Sequence, residues 1–439
     1  MHDAAARARI VRFLAAVNLL TPLDTQAAVP LVPLYLTDVL GRSVADVGVI
    51  ATGLAAASMV SLALLPTLVR RVGARSVLVA SLLLRLVAGA GYLSAFDEGG
   101  WCASPSASFA ALVAARALHG LTLSTFALPN VWIAAHVPAD GGERVRAVAL
   151  TSAALVLGVA MGPSWGAVLA WAWQRRGGVP YAAPGAFTVL ESAACLIAVL
   201  VCGCGPPREE EEEDADKPTP SSDDAPPPPL AAPGGMGVEA PFLWYNACIT
   251  LGFMMGFEAL LPLAARDTFG WDAVGALRVW LSLAAALLAG FALAPPALRA
   301  VPGPRLAASL AAAALAMTLA SAVDVGGEEW RVYVGAAGLV PLTVLSTQTS
   351  VALMRVTAAD AQAGVQARYV MAGQVGRTVG AVAAPRWYDA YTRAHGAGAG
   401  YTAAALFLAF WVAAAVVPLG RRRDAAYGPG GATAAGTLL

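Results

Sequence analysis

The chain of 439 residues is 58% apolar and only 13% charged, with zero formal net charge and a mean hydropathy of +0.66. Soluble globular proteins are under about half apolar and about a quarter charged, so an ordinary soluble enzyme is excluded. The balanced charge also removes the electrostatic case for a nucleic-acid partner. Because a membrane-spanning helix needs about 20 mostly apolar residues, the composition predicts an all-α protein with roughly a dozen spans in a lipid bilayer.

Twelve apolar runs, in two groups of six, are the candidate spans. The first group covers approximately residues 10–37, 44–65, 76–95, 108–135, 145–173 and 184–203. The second group covers approximately residues 242–265, 273–294, 305–323, 330–354, 364–390 and 398–419. We therefore predict twelve transmembrane helices.

A polar segment at residues 205–241 separates the two groups and contains the acidic run Glu209–Asp214 and the proline run Pro226–Pro229. Such a segment cannot bury enough apolar area to offset its ordering entropy, which predicts a disordered cytoplasmic linker. The expected organisation is then a six-helix bundle at 1–204, the linker at 205–241, a second bundle at 242–420 and a disordered tail at 421–439. We expect a monomer.

Two observations refine this organisation. Most arginines fall in segments that are cytoplasmic if the N-terminus is inside, which predicts cytoplasmic N- and C-termini. The segment Pro33–Gly41, PLYLTDVLG, also resembles Pro262–Gly270, PLAARDTFG, with Pro, Leu, Asp and Gly matching at a constant offset of 229 residues. The same offset relates Arg70 to Arg299. These matches predict two homologous, pseudo-symmetric halves.

The fifth run contains glycine at every fourth position, Gly158, Gly162 and Gly166, with Pro163 beside the second. Small residues on one helix face allow close approach of a neighbouring helix, and proline permits a bend. This element resembles the GxxxGPxxGG motif of the drug:proton antiporter branch of the major facilitator superfamily, although Ala167 replaces the last glycine. The resemblance extends over the chain apart from linker and tail, and implies the two six-helix bundles and alternating access of that superfamily.

The eleventh run is expected to be the second-half counterpart of the fifth, with Gly376 and Gly380 on a similar small-residue face. Its segment Gly380-Ala381-Val382 matches the Gly-Ala-Val that begins at Gly166. Arg377 lies in this run, where it either forms an ion pair with an embedded acid or binds an anionic substrate.

Asp24 is the leading candidate for binding a proton or a cationic substrate. It lies within the first apolar run, where an ionised carboxylate is disfavoured and embedded acids indicate function. Leu23-Asp24, followed by Pro33, also resembles the first-helix pattern of proton-coupled exporters in the superfamily.

The fourth run carries Arg116 and His119, in a segment similar to the RxxQG element of the same family with His in place of Gln. By this resemblance, Arg116 would help to couple proton binding to substrate movement. His119 lies on roughly the same helix face as Arg116 and is either a hydrogen-bonded structural residue or a group that titrates near physiological pH.

Two further embedded acids are Glu191 in the sixth run and Glu258 in the seventh. Glu258 is expected to line the central cavity from the second half. Glu191 either has a transport role or pairs with Arg85 or Arg377 as a structural ion pair.

The loop after the second run contains Arg71, Gly73 and Arg75 and resembles the family's GxxxDRxGRR loop. The acid with which that loop latches helix ends in the family is absent here, because Val69 or Arg70 stands in its place. The basic residues alone can also be explained as cytoplasmic anchors, which is the expectation for Arg70.

No soluble-enzyme motif is present. The single lysine, Lys217, lies in the predicted linker, so a phosphate-binding loop is excluded, and the four histidines lack metal-ligand spacing. We therefore predict no enzyme activity, no cofactor and no metal. The resemblance implies a secondary transporter of small organic molecules, proton-coupled and possibly an exporter; the alternatives are a facilitator without an ion gradient and a transporter-like membrane sensor or scaffold.

Overall fold

The protein folds, in a computed structural model, into helices. The structure describes residues 2–96, 104–137, 143–201, 236–255, 260–271, 277–300, 303–323, 329–356 and 362–420. No strand occurs among these residues, so the all-α prediction is confirmed. Most of the expected linker, residues 205–235, and the expected tail lie outside the described residues.

The helices follow one another through both halves of the chain. They are α1 (His2–Ala27), α2 (Val32–Leu34), α3 (Val44–Ser94), α4 (Pro105–Leu121), α5 (Leu128–His136), α6 (Glu143–Gln174), α7 (Ala183–Leu200), α8 (Met236–Met255), α9 (Leu261–Phe269), α10 (Leu277–Ala300), α11 (Gly303–Ala322), α12 (Trp330–Ala337), α13 (Leu339–Val356), α14 (Gln362–His395) and α15 (Gly400–Gly420). A π-helical stretch, Tyr35–Val39, follows α2. Helix α8 begins at Met236, so residues 236–241 are helical although we expected them in the linker.

Six segments of the described residues are both long and apolar enough to cross a bilayer. They are Val44–Leu65, Thr67–Ser94, Pro105–Ile133, Arg146–Gln174, Pro180–Leu200 and Ala397–Val416. Helix α3 contains the first two of these, and it is kinked within the second, at Gly73, whose backbone φ is +77°. Glycine adopts positive φ without the steric penalty of a Cβ atom, which accounts for its place at this kink.

The glycine face of α6 is its contact surface with α1. Gly158, Gly162 and Gly166 all lie against the α1 backbone or side chains, and a Cβ atom on Gly158 or Gly166 would overlap the carbonyl oxygen of Leu19 or Ala27 respectively. Because those oxygens belong to the backbone, they cannot move aside as a flexible side chain could. The spacing of four residues therefore sets how closely α6 approaches α1.

Helix α14 packs on α8 in the same manner, which supports the pseudo-symmetry of the halves. Asn18 on α1 donates through Nδ2 to the carbonyl oxygen of Thr151 on α6, at 3.3 Å. Asn246 on α8 donates through Nδ2 to the carbonyl oxygen of Tyr369 on α14, at 2.6 Å. In both halves, an asparagine on the helix of the first apolar run (α1 or α8) thus binds the backbone of the helix of the fifth run (α6 or α14).

The packing corrects one detail of the expected repeat. Sequence matching paired Gly380 with Gly166. In the structure, Gly376 lies against Ala247, the residue after Asn246, and Gly158 lies against Leu19, the residue after Asn18, so Gly376 is the counterpart of Gly158. The pairing in the structure therefore differs from the pairing expected from the sequence by about one helical turn. Residues four apart share a helix face, so a glycine pattern with that spacing leaves the register open by one turn.

Candidate functional site

Three buried charged side chains from three helices meet inside the first half of the chain. Arg85 on α3 donates through Nη2 to Oδ2 of Asp24 on α1 at 2.7 Å and to Oε2 of Glu191 on α7 at 2.8 Å. The side chains of Asp24 and Glu191 are 1% exposed and that of Arg85 is 0% exposed. One guanidinium nitrogen thus serves two buried carboxylates.

The break at the end of α1 places Asp24 near a helix terminus. Helix α1 ends at Ala27, and Pro30, which lacks an N–H group, lies in the turn that follows. Carbonyl groups in the last turn of a helix have no intrahelical partner. Arg116 on α4 supplies a partner for one of these carbonyl groups, because its Nη1 and Nη2 atoms each donate to the carbonyl oxygen of Thr25 at 3.3 Å. A cation there also interacts favourably with the helix dipole.

His119 connects the same part of α1 to α4. Its Nε2 atom lies 3.0 Å from Oγ1 of Thr25 and 3.3 Å from Oδ2 of Asp24. When the Thr25 hydroxyl donates to the carbonyl oxygen of Thr21, at 2.8 Å, its oxygen is free to accept a hydrogen bond from the imidazole. A ring that carries a proton on Nε2 can therefore donate to either Oγ1 of Thr25 or Oδ2 of Asp24.

Hydroxyl and thiol groups complete the surroundings of the two carboxylates. Thr188 on α7 donates to Oδ1 of Asp24, so both oxygens of this carboxylate have partners. Ser192 donates to Oε2 of Glu191 at 3.3 Å, and the Cys195 thiol lies 3.8 Å from Oε1. Hydrogen bonds of this kind are what a buried charge needs in order to be tolerated.

A small cavity adjoins Asp24 and has room for about one water molecule. Its lining residues come from α1, α3, α4 and α7, plus the residue Ala28 just after α1, and include Tyr92, Arg116, His119 and Thr188. The buried Tyr92 hydroxyl has no hydrogen-bond partner among the described residues. All of the lining residues belong to the first half of the chain.

The remaining predicted site residues lie elsewhere. Glu258 lies outside the described residues. Arg377 is 5% exposed on α14, in the second half, and is absent from the Asp24 cavity lining. In the loop motif, Arg71 is exposed, whereas Arg75 donates to the carbonyl oxygen of Val199 at 2.7 Å and so binds the C-terminal end of α7.

Sequence reasoning underestimated Arg85. We considered it only as one of two partners for Glu191, whereas the structure places it between Glu191 and Asp24. An arginine in the middle of an apolar run was the available signal, because such a residue needs a buried partner. Thr25, Thr188 and Tyr92 gave no signal, since hydroxyl groups are common in apolar helices.

Comparison with known proteins is consistent with this architecture. The sequence model of the Major Facilitator Superfamily matches residues 14–385. No curated protein matches the chain. Similar solved structures include a bacterial homologue of the human lysosomal transporter Spinster in an inward-facing, unoccupied conformation, with a TM-score of 0.66 and 15% identity over 99% of this chain and 98% of that one.

Two other similar structures are a D-xylose-proton symporter and the nucleoside transporter NupG. The symporter has a TM-score of 0.65 and 16% identity over 92% of this chain and 97% of that one. NupG has a TM-score of 0.61 and 12% identity over 93% of this chain and 98% of that one. These likenesses concern the fold, and they confirm the predicted twelve-helix architecture. With the family match over most of its length, the chain belongs to the Major Facilitator Superfamily and is a membrane transporter, not an enzyme.

Proposed function

We propose that this protein is a proton-coupled secondary transporter of a small organic solute and that Asp24 carries the coupling proton. The observation that carries the proposal is the buried Asp24–Arg85–Glu191 arrangement, in which one arginine holds two acids from different helices. Adding a proton to Asp24 cancels its attraction for Arg85 and leaves Arg85 to Glu191. The contact between α1 and α3 thereby depends on protonation.

The size of this effect suits a conformational switch. Removing one partner from a buried ion pair costs about 3–5 kcal/mol. Reversing a two-state population from about 1:99 to 99:1 requires about 5.5 kcal/mol. Protonation of a single buried acid, combined with solute binding, is therefore of the right magnitude to bias the rocking of one half against the other.

The glycine face of α6 supports export as the direction of transport. Gly158, Gly162 and Gly166 carry the antiporter-like motif, and they lie against α1, the helix that contains Asp24. A change at Asp24 would thus reach α6 through a direct backbone contact. We propose Glu258 and Arg377, on the second half, as candidates for binding the solute.

The test is transport by the full chain reconstituted in proteoliposomes, using a panel of labelled small organic solutes with and without an imposed pH gradient. We expect Asp24→Asn to abolish gradient-driven accumulation while retaining solute counterflow, since only the coupling group is lost. Asp389→Asn, a partly buried acid near the end of α14, is the matched control and should behave like the parent. Undiminished gradient-driven accumulation by Asp24→Asn would remove this residue from the mechanism.

A further inference from the structure

The two copies of the repeated segment meet each other in the structure. Thr37 in the first copy and Arg266 in the second occupy equivalent positions, 229 residues apart. Arg266 donates through Nη1 to Oγ1 of Thr37 at 2.8 Å. Because equivalent residues can contact each other only near the symmetry axis that relates them, the pseudo-twofold axis of the protein passes between these two side chains.

The aspartates that follow are also equivalent, and the same guanidinium binds both. Nη1 of Arg266 donates to Oδ1 of Asp38, on the first half, and Nε donates to Oδ1 of Asp267 at 2.7 Å. The second oxygen of Asp267 accepts a hydrogen bond from the Tyr388 hydroxyl of α14, at 2.7 Å. Among the residues that these hydrogen bonds connect, there are thus two acids, Asp38 and Asp267, and one cation, Arg266.

The halves also approach closely along α3 and α14 on this side of the molecule. A Cβ atom on Gly48, near the start of α3, would overlap the carbonyl oxygen of Ala381. Farther along α3, Ser58 donates to Oε1 of Gln374 at 3.0 Å. The rise of a helix is about 1.5 Å per residue, so these contacts close the space between the halves over a depth of about 15 Å.

We propose that Arg266 is a gating residue of the transport cycle. Through Thr37, Asp38 and Asp267, it holds the transport pathway closed at the end of the molecule where the two repeated segments meet. Opening the pathway here separates Thr37 and Asp38 from Arg266. Removing the guanidinium has two effects that act in the same direction: the attraction between the halves is lost, and Asp38 is left facing Asp267 without an intervening cation. Arg266 is therefore distinct from the Asp24 cluster and acts on access to the pathway.

The magnitude follows from the exposure of the groups. The side chains of Arg266 and Asp38 are 30% and 39% exposed, so solvent screens their attraction. Exposed ion pairs contribute up to about 1 kcal/mol, which corresponds to about a fivefold change in an equilibrium. We expect Arg266→Gln to raise the population open at this end by about fivefold.

The experiment measures distances between spin labels in the full chain in lipid nanodiscs, without solute or pH gradient. Cysteines placed at Val49 on α3 and Val382 on α14, both exposed, carry the labels after the native cysteines have been replaced. Arg266→Gln should enlarge the long-distance population, and combining Asp38→Arg with Arg266→Asp should restore the parent distribution, because one cation again lies among the acids. Arg386→Gln removes an exposed charge from α14, the helix that carries the label at position 382, and should change nothing.

Two outcomes would overturn the proposal: an Arg266→Gln distribution identical to that of the parent, or a swapped variant with a distribution as open as that of Arg266→Gln. Size-exclusion profiles identify any variant that does not fold, and Arg266→Lys, which retains the charge with fewer donors, then supplies the intermediate case. Because no proton gradient is used, failure here leaves the proposed role of Asp24 unaffected.

Discussion

Arg85 provides the most quantitative test of the buried cluster. Replacing it with methionine, which has a similar length and no charge, leaves Asp24 and Glu191 buried without the cation they share. Breaking a buried ion pair in this way costs about 3–5 kcal/mol. Native domains are stable by only about 5–15 kcal/mol, so Arg85→Met should lose about a fifth or more of the free energy of unfolding.

Neutralising one acid should recover much of this loss. In Arg85→Met combined with Glu191→Gln, the remaining carboxylate of Asp24 keeps its bonds to Thr188 and His119. A double-mutant cycle should therefore give a coupling energy of about 2 kcal/mol or more between positions 85 and 191.

The assay is equilibrium unfolding in mixed detergent micelles, followed by tryptophan fluorescence. Arg71→Met, an exposed arginine on the same helix, should change the free energy of unfolding by no more than about 0.5 kcal/mol. A cost below about 1 kcal/mol for Arg85→Met, or additive effects in the double variant, would refute the reasoning.

Two packing predictions can be measured with the same unfolding assay. Gly166→Leu should destabilise the protein by about 1–3 kcal/mol, because the leucine side chain would overlap the backbone at Ala27. The control, Gly398→Leu, should be nearly neutral, because no atom lies near the Cβ position of residue 398. Equal effects of the two substitutions would contradict the packing argument. Asn246→Ala should cost about 1 kcal/mol through loss of its hydrogen bond to the Tyr369 carbonyl oxygen, and an unchanged midpoint would show that this bond contributes nothing.

The sequence predicts the helices and the unusual residues better than it predicts their pairing. Asp24, Glu191 and Arg116 stand out because charge is expensive inside apolar runs, and the periodic glycines of α6 are visible for a similar reason. The choice of partner depends on how each helix is rotated and how deep it lies. Residue spacing within one helix fixes neither quantity, so the role of Arg85 as a bridge between two acids could only be found in three dimensions.

The contact between Thr37 and Arg266 has a consequence for how the two halves can diverge. In a dimer of identical subunits, a residue on the twofold axis meets its own copy, so an arginine there would face another arginine. A single chain with an internal repeat is free of this restriction, and here threonine in one copy accepts a hydrogen bond from arginine in the other. Joining both halves in one polypeptide thus permits a complementary pair at the one place where perfect symmetry would forbid it.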